Sequence, residues 1–204
     1  MGESVTELDA RQLGAAWQSE FHFAKHVFVH DRERLLAATQ RSADCYRRAM
    51  DRLPWPAVAV QVPFEGGALP GVPRLPSATD TGTEGPVPVV LVVPGLDATK
   101  EEMHRFAEVL LERGIAVLSI DGPGQGESED RLGIRPDREV VGAAILDVIA
   151  SDPRLDEQRA SVVGVSLGGY YAARAVAADA RWRAGRRAEL ADRVSTVLDT
   201  GVRP

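Results

Sequence analysis

The sequence predicts an α/β fold: a mostly parallel sheet covered by helices, preceded by an N-terminal helical extension. Three observations predict it. Short unbroken apolar runs at 87–93, 115–120 and 160–165 alternate with helical patterns, as buried parallel strands with crossover helices do. Residues before Pro54 contain no proline and carry helically spaced apolar side chains. Ser166 stands between Gly164 and Gly168 where the third apolar run gives way to a helix-forming stretch.

Each element follows from its residues. Phe21, Ala24 and Phe28 recur at i, i+3 and i+7, joined by Phe23 and Val27, and predict a first helix with a broad apolar face. Asp31 caps a second helix over 32–52, with Leu35, Leu36, Cys45, Tyr46, Ala49 and Leu53 as its apolar set, and Pro54 and Pro56 end it. Residues 57–62 read as a strand and Gly66-Gly67 as a turn. Pro70 and Pro73 interrupt the next strand pattern, 69–75, which points to a sheet edge or a loop. Residues 77–86 form a polar surface turn, and 87–93 a fully buried strand. A helix over 100–113 stops at Gly114, and 115–120 is a second buried strand. Helix 138–150, strand 160–165 and helix 167–178 complete the pattern; 180–193 is an Arg/Ala-rich stretch of low complexity. The division is therefore a helical segment, 1–55, and a sheet-bearing segment, 56–204.

Composition removes several functions. The 204 residues carry a formal net charge of −6, so the charge balance opposes binding to nucleic acid or to an anionic membrane surface. The run 87–93 falls far short of the about 20 apolar residues a membrane helix needs. The N-terminal MGESVTELDA is acidic, without the apolar core of a secretory signal. A single cysteine, Cys45, excludes an internal disulfide and fits a reducing, cytoplasmic setting.

The chemistry concentrates in three loops. G-x-S-x-G after a strand and before a helix is a nucleophile elbow: small residues on both sides let strand and helix approach, and the serine stands at the C-terminal edge of the sheet. Ser166 is the candidate nucleophile. An oxyanion hole takes one backbone N–H from the residue after the nucleophile, Leu167, and one from the loop after an earlier strand; here that loop is Pro94-Gly95-Leu96, and Leu96 is the donor. Thr99 serves as the N-cap of the helix that follows. The third loop, SIDGPGQGES over 119–128, holds Gly122, Gly124 and Gly126. It is not a phosphate loop, because Glu127 stands where G-x-G-x-x-G requires its last glycine. With Gly95, the residues Asp121, Gly124 and Glu127 line the pocket; the two carboxylates either brace the loop by hydrogen bonds or take part in chemistry. His22, His26 and His30 share a helical spacing without a neighbouring ligand set, so no metal and no cofactor is expected.

PGLDATKEEMH, VLSIDGPGQGES and VVGVSLGGYYAARA, in this order, resemble the α/β-hydrolase superfamily in its branch of FrsA-like esterases and 2,6-dihydroxypseudooxynicotine hydrolase. FHFAKHVFVHD and VPFEGGALPG are similar to the same branch, and the resemblance runs from about Trp17 to about Arg181. It implies hydrolysis of an ester or of a carbon–carbon bond in a ketone-like small molecule through Ser166. It matches Leu96 and Leu167 to the oxyanion positions, and the N-terminal helices to a region that helps close the pocket.

The chain departs from that pattern after the serine. The triad order is Ser, then Asp or Glu, then His, yet 204 − 166 = 38 residues follow Ser166 and none is histidine. His104 reads as packed or solvated, and Asp199 is poorly placed for the acid. The expectation is an incomplete α/β-hydrolase fold, cut short at its C-terminal side and weak or inactive alone. Its expected partners are a complementing C-terminal half or a second copy meeting it at an exposed sheet edge. A non-catalytic module binding a small molecule is the rival reading.

Overall fold

A computed structural model describes residues 24–188, apart from 26, 29, 78–81, 83 and 84. His22, His26, Asp199 and most of the first predicted helix lie outside the described residues. The elements are α1 (Arg32–Ala49), β1 (Val60–Phe64), β2 (Gly67–Arg74), β3 (Val87–Val93), α2 (His104–Leu111), β4 (Ala116–Ile120), α3 (Glu139–Ser151), β5 (Leu155–Val165), α4 (Leu167–Ala178) and β6 (Ala184–Ala188). A 3₁₀ turn, Lys100–Met103, leads into α2. The strands form one sheet in the order β1-β2-β4-β3-β5-β6. β4, β3, β5 and β6 run parallel, while β2 is antiparallel to both β1 and β4.

The unbroken apolar runs are explained by burial on both faces. In β3, Val89 and Leu91 face α3 and α4 with Ile145, Ile149, Ala172 and Ala175. Val90 and Val92 face α2 with Ala107, Leu110 and Leu111. A period of two divides the run between two cores. Asp31 accepts from the Arg34 N–H and caps α1, as expected. The buried face of α1 is narrower than its apolar set: Ala38, Thr39, Ser42, Ala43, Tyr46 and Ala49 are buried, whereas Leu35, Leu36 and Cys45 are half-buried.

Three expectations need correction. First, β2 is an internal strand despite Pro70 and Pro73. Each proline sits where the neighbouring ladder has ended: the Pro70 carbonyl accepts from Asp121 just past β4, and the Pro73 carbonyl from Val58 just before β1. The missing N–H groups therefore interrupt no strand pair. Second, the hairpin turn is Glu65-Gly66, both at positive φ (47° and 75°), and Gly67 already pairs with Phe64; this is the two-residue turn whose twist suits a hairpin. Third, the Arg/Ala-rich stretch contains a strand, β6, in register with β5 from Ser161↔Ala184 to Val165↔Ala188. Its residues, AGRRA, have little strand preference of their own, so pairing decides the conformation. Among the described residues, no helix is long and apolar enough to cross a membrane.

Candidate active site

The site is built where β5 turns into α4. Ser166 caps α4 with φ 53° and ψ −120°, a strained region that a non-glycine residue holds only when its surroundings impose it. The imposing contacts are visible at the flanking glycines. A Cβ on Gly164 would lie 1.9 Å from the Gly168 carbonyl oxygen, and one on Gly168 would lie 2.2 Å from the Val93 carbonyl oxygen. Strand, helix and the end of β3 therefore meet backbone to backbone. Ser166 is exposed at the C-terminal edge of the sheet. It faces Gly95, whose added Cβ would be 3.4 Å from the Ser166 Cβ. The first N–H groups of a helix lack intrahelical partners and favour negative charge, and Leu167 supplies the first of them. Leu96, 52% exposed, follows Gly95 on the opposing loop.

The Gly-rich loop braces this arrangement from behind. Asp121 is fully buried. Its Oδ1 accepts from the Lys100 N–H at 2.8 Å, and its Oδ2 from Lys100 Nζ at 2.6 Å and from the Glu127 N–H at 3.1 Å. Glu127 accepts from the same ammonium at 2.7 Å and from Arg47 of α1. Of the two roles left open for these carboxylates, the geometry is that of bracing. Gly126, at φ 48°, brings the backbone so close to Asp121 that a Cβ would lie 2.2 Å from its Oδ2. Gly124, at φ 76°, packs likewise against Ile134.

Lys100 escaped the sequence reading, because lysine is rarely buried. Oxygens of Glu101, Asp121 and Glu127 lie within 4.8 Å of one another, as metal ligands would. The Lys100 ammonium sits among them, 2.6, 2.6 and 2.7 Å from one oxygen of each. Burial opposes its charge, and the carboxylates of Asp121, Glu101 and Glu127 outweigh burial, so Lys100 is held well above the ordinary lysine range. Burial likewise favours neutral Glu127, but Lys100 and Arg47 hold it below the ordinary range. Thr99 and Glu102 form a capping box that starts the Lys100 turn.

Of the two readings of His104, packed or solvated, the structure shows the first: it is buried. Its Nδ1 lies 3.1 Å from Arg74 Nη1 and 3.4 Å from the Tyr46 hydroxyl, and its Nε2 3.4 Å from Glu108 Oε1. Arginine only donates, so Nδ1 accepts and Nε2 carries the proton. Burial, then Arg74 and Arg105, pull its pKa down to about 4. A depressed histidine contributes stability that is full above the unfolded value of about 6.5 and is lost as pH falls toward the folded value. About 3 kcal/mol of stability should therefore disappear between pH 7 and pH 4 through this residue alone. His104→Gln keeps an acceptor for Arg74, and urea unfolding across that range should show a shallower acid slope than the wild type. Equal slopes would refute the assignment.

A strained serine on a strand-to-helix elbow, at the edge of a mostly parallel sheet with helices on both faces, defines the α/β-hydrolase class of fold. The chain belongs to the FrsA-like esterase family, which it matches over residues 6–192; the likeness thus continues beyond β6, past the point near Arg181 where the motifs fade. It is 41% identical over 186 residues to the hydrolase acrC of Aspergillus aculeatus, covering 81% of this chain and 43% of that protein. It is 32% identical over 149 residues to the 2,6-dihydropseudooxynicotine hydrolase of Paenarthrobacter nicotinovorans, covering 73% and 39%. The crystal structure of a 2,6-dihydroxy-pseudo-oxynicotine hydrolase superposes with a TM-score of 0.76 at 28% identity, over 88% of this chain and 51% of that one. The chain thus spans about two fifths of the length of the curated relatives it matches.

Proposed function

We propose that this chain carries the nucleophile and oxyanion hole of a serine hydrolase that cleaves an ester, or a carbon–carbon bond beside a ketone, in a small molecule. The observation that carries the reading is the Ser166 backbone, at φ 53° and ψ −120° between two glycines that admit no side chain. Ser166 Oγ attacks the carbonyl carbon, and the carbonyl oxygen takes up the negative charge facing the Leu167 and Leu96 N–H groups. The Ser166 proton passes to the base that the reading requires, and collapse of the intermediate returns it to the departing alkoxide or carbanion, leaving an acyl-enzyme for water to cleave. Gly95, Gly124 and the braced Asp121–Glu127 loop shape the pocket.

The base and its acid partner come from outside the described residues. Nδ1 of His104 is committed to Arg74, and its depressed pKa and burial suit packing rather than proton transfer to Ser166. The reading requires a histidine and an acid from residues outside the described ones, for which a complementing polypeptide is one proposed source, and a cytoplasmic setting accords with the one free cysteine, Cys45.

The test is single-turnover acetylation by p-nitrophenyl acetate, followed by p-nitrophenol release and by mapping the acetyl group. Label on Ser166 is expected in the wild type and none at that site in Ser166→Ala. Adding a C-terminal hydrolase segment that bears the histidine should raise turnover by about 10³-fold or more, the scale of a missing triad member. Equal release by wild type and Ser166→Ala, with and without that segment, would sink the proposal.

A further inference from the structure

The oxyanion loop is gripped at both ends by the Gly-rich loop. At its far end the Lys100 N–H and ammonium are bound by Asp121. At its near end Gln125, 1% exposed, donates through Nε2 to the Gly95 carbonyl at 2.5 Å and to the Pro94 carbonyl at 3.3 Å. The Gln125 Oε1 accepts from Arg138 Nη2 at 2.7 Å, and that nitrogen also donates to the Pro123 carbonyl at 2.8 Å. Arg138 is itself buried, with its guanidinium 4.3 Å from the centre of the Tyr171 ring at the start of α4.

This chain of contacts has one orientation. Arginine only donates and carbonyls only accept, so the Gln125 amide must turn its oxygen to Arg138 and its nitrogen to Gly95. A trans peptide is planar, with its C=O and N–H pointing in opposite directions. The carbonyl fixed by Gln125 belongs to the same peptide unit as the Leu96 N–H. Holding the Gly95 oxygen back against Gln125 therefore turns the Leu96 N–H away from Gln125, to the other side of that peptide. Without the grip, a Gly95-Leu96 peptide next to glycine has little to stop it rotating.

We propose that Gln125, oriented by Arg138, is a positioning residue that sets the direction of the Leu96 N–H and so preorganises one of the two oxyanion donors. The proposal rests on the nucleophile reading above. It assigns Gln125 no contact with substrate; its effect passes through one peptide plane.

Two variants test it in the chain as it stands. Gln125→Met keeps the length and removes the donor. Gln125→Glu keeps the acceptor for Arg138 and sets a carboxylate oxygen against the Gly95 oxygen. In labelled protein, the Leu96 amide and Gly95 carbonyl signals should move, and the Leu96 signal should broaden or split, while the amides of residues 90–92 in β3 stay in place. In single-turnover acetylation, the maximal rate should fall about 10- to 100-fold, somewhat less than the loss of a whole oxyanion donor, with half-saturation changed less than about 2-fold, the mark of an interaction made in the transition state. A merely structural glutamine would lower the melting temperature without that split. Unmoved Leu96 signals in both variants would overturn the proposal, as would moved signals with wild-type acetylation rates. Failure of the nucleophile reading looks different: the wild type itself would then leave Ser166 unlabelled, and the oxyanion role of Gln125 would fall with it. If Gln125→Met does not fold, Gln125→Glu carries the same readouts.

Discussion

Lys100→Met should cost about 3–5 kcal/mol of stability at pH 8, the penalty for removing one partner from a buried charge network. That is a large share of the about 5–15 kcal/mol that holds a domain together. Lys100 neutralises carboxylates of which Asp121 is fully buried and Glu101 nearly so. Methionine fills a similar volume and offers them nothing. Arg47 still reaches Glu127, whereas the ion pair of Asp121 is the one with Lys100. The variant should also reverse the pH dependence. Burial and Asp121 already hold Glu101 above its ordinary range while Lys100 opposes them, so removing Lys100 raises it further. Its contribution is present below the unfolded value and lost as pH rises through the folded one, so the variant is more stable at pH 5 than at pH 8. In the wild type, Glu127 has a depressed pKa; its contribution is present above the unfolded value and lost as pH falls. Lys100, with its raised pKa, contributes fully below the unfolded lysine value of about 10.4 and loses that contribution only in more alkaline solution. Urea midpoints at pH 5 and 8 decide the matter: a variant within about 1 kcal/mol of wild type at pH 8 would mean that the network is stabilised by something other than its central charge.

The parts of this structure that were legible in the sequence are those whose cause is local. β3 matches its apolar run residue for residue, and α4 matches the stretch after the elbow, because a run buried on two faces and a glycine-flanked serine each carry their reason within a few residues. The Asp31 and Thr99 caps were legible for the same reason. What was hidden depends on residues distant in the chain. Lys100 meets Asp121 and Glu127 across 21 and 27 residues, and Gln125 reaches Pro94 and Gly95 across 31 and 30. Read singly, a lysine after a helix cap is a surface residue, and a glutamine among glycines is a loop residue. In DGPGQGES the bracing role of Asp121 and Glu127 was one of two readings the sequence allowed, while Gln125, also a polar side chain among small residues, was left unread: the two carboxylates meet Lys100, and Gln125 meets Pro94 and Gly95. The prolines of β2 misled for a related reason, since what a proline disrupts depends on whether a partner strand extends that far.

Gly168→Ala should be among the most damaging single-methyl changes in the described residues, costing upwards of about 3 kcal/mol, more than usual overpacking. The added Cβ would lie 2.2 Å from the Val93 carbonyl oxygen and 2.5 Å from that of Pro94. Both are backbone atoms, so no side chain can swing aside, and α4 must move off β3 at the point where Ser166 is aimed. Gly164→Ala meets the Gly168 carbonyl at 1.9 Å and should do the same from the other side. Gly133→Ala is the control, because a Cβ there meets nothing within 4 Å; it should stay within about 0.5 kcal/mol of wild type. The serine between the two glycines should behave in the opposite sense. Its left-handed backbone costs about 1–3 kcal/mol in a non-glycine residue, while glycine gives back about 0.4–1 kcal/mol through the greater entropy of the unfolded chain. Ser166→Gly should therefore stabilise the fold by about 1 kcal/mol, the difference between these two effects, while abolishing acetylation at that position. Urea unfolding of the four variants reads both signs together. A Gly168→Ala midpoint close to that of Gly133→Ala, or a Ser166→Gly variant less stable than wild type, would show that the elbow is neither as tight nor as strained as its backbone geometry requires. The opposite pair of signs would mean that the fold holds this serine against its own preference, which a site kept only for packing has no reason to do.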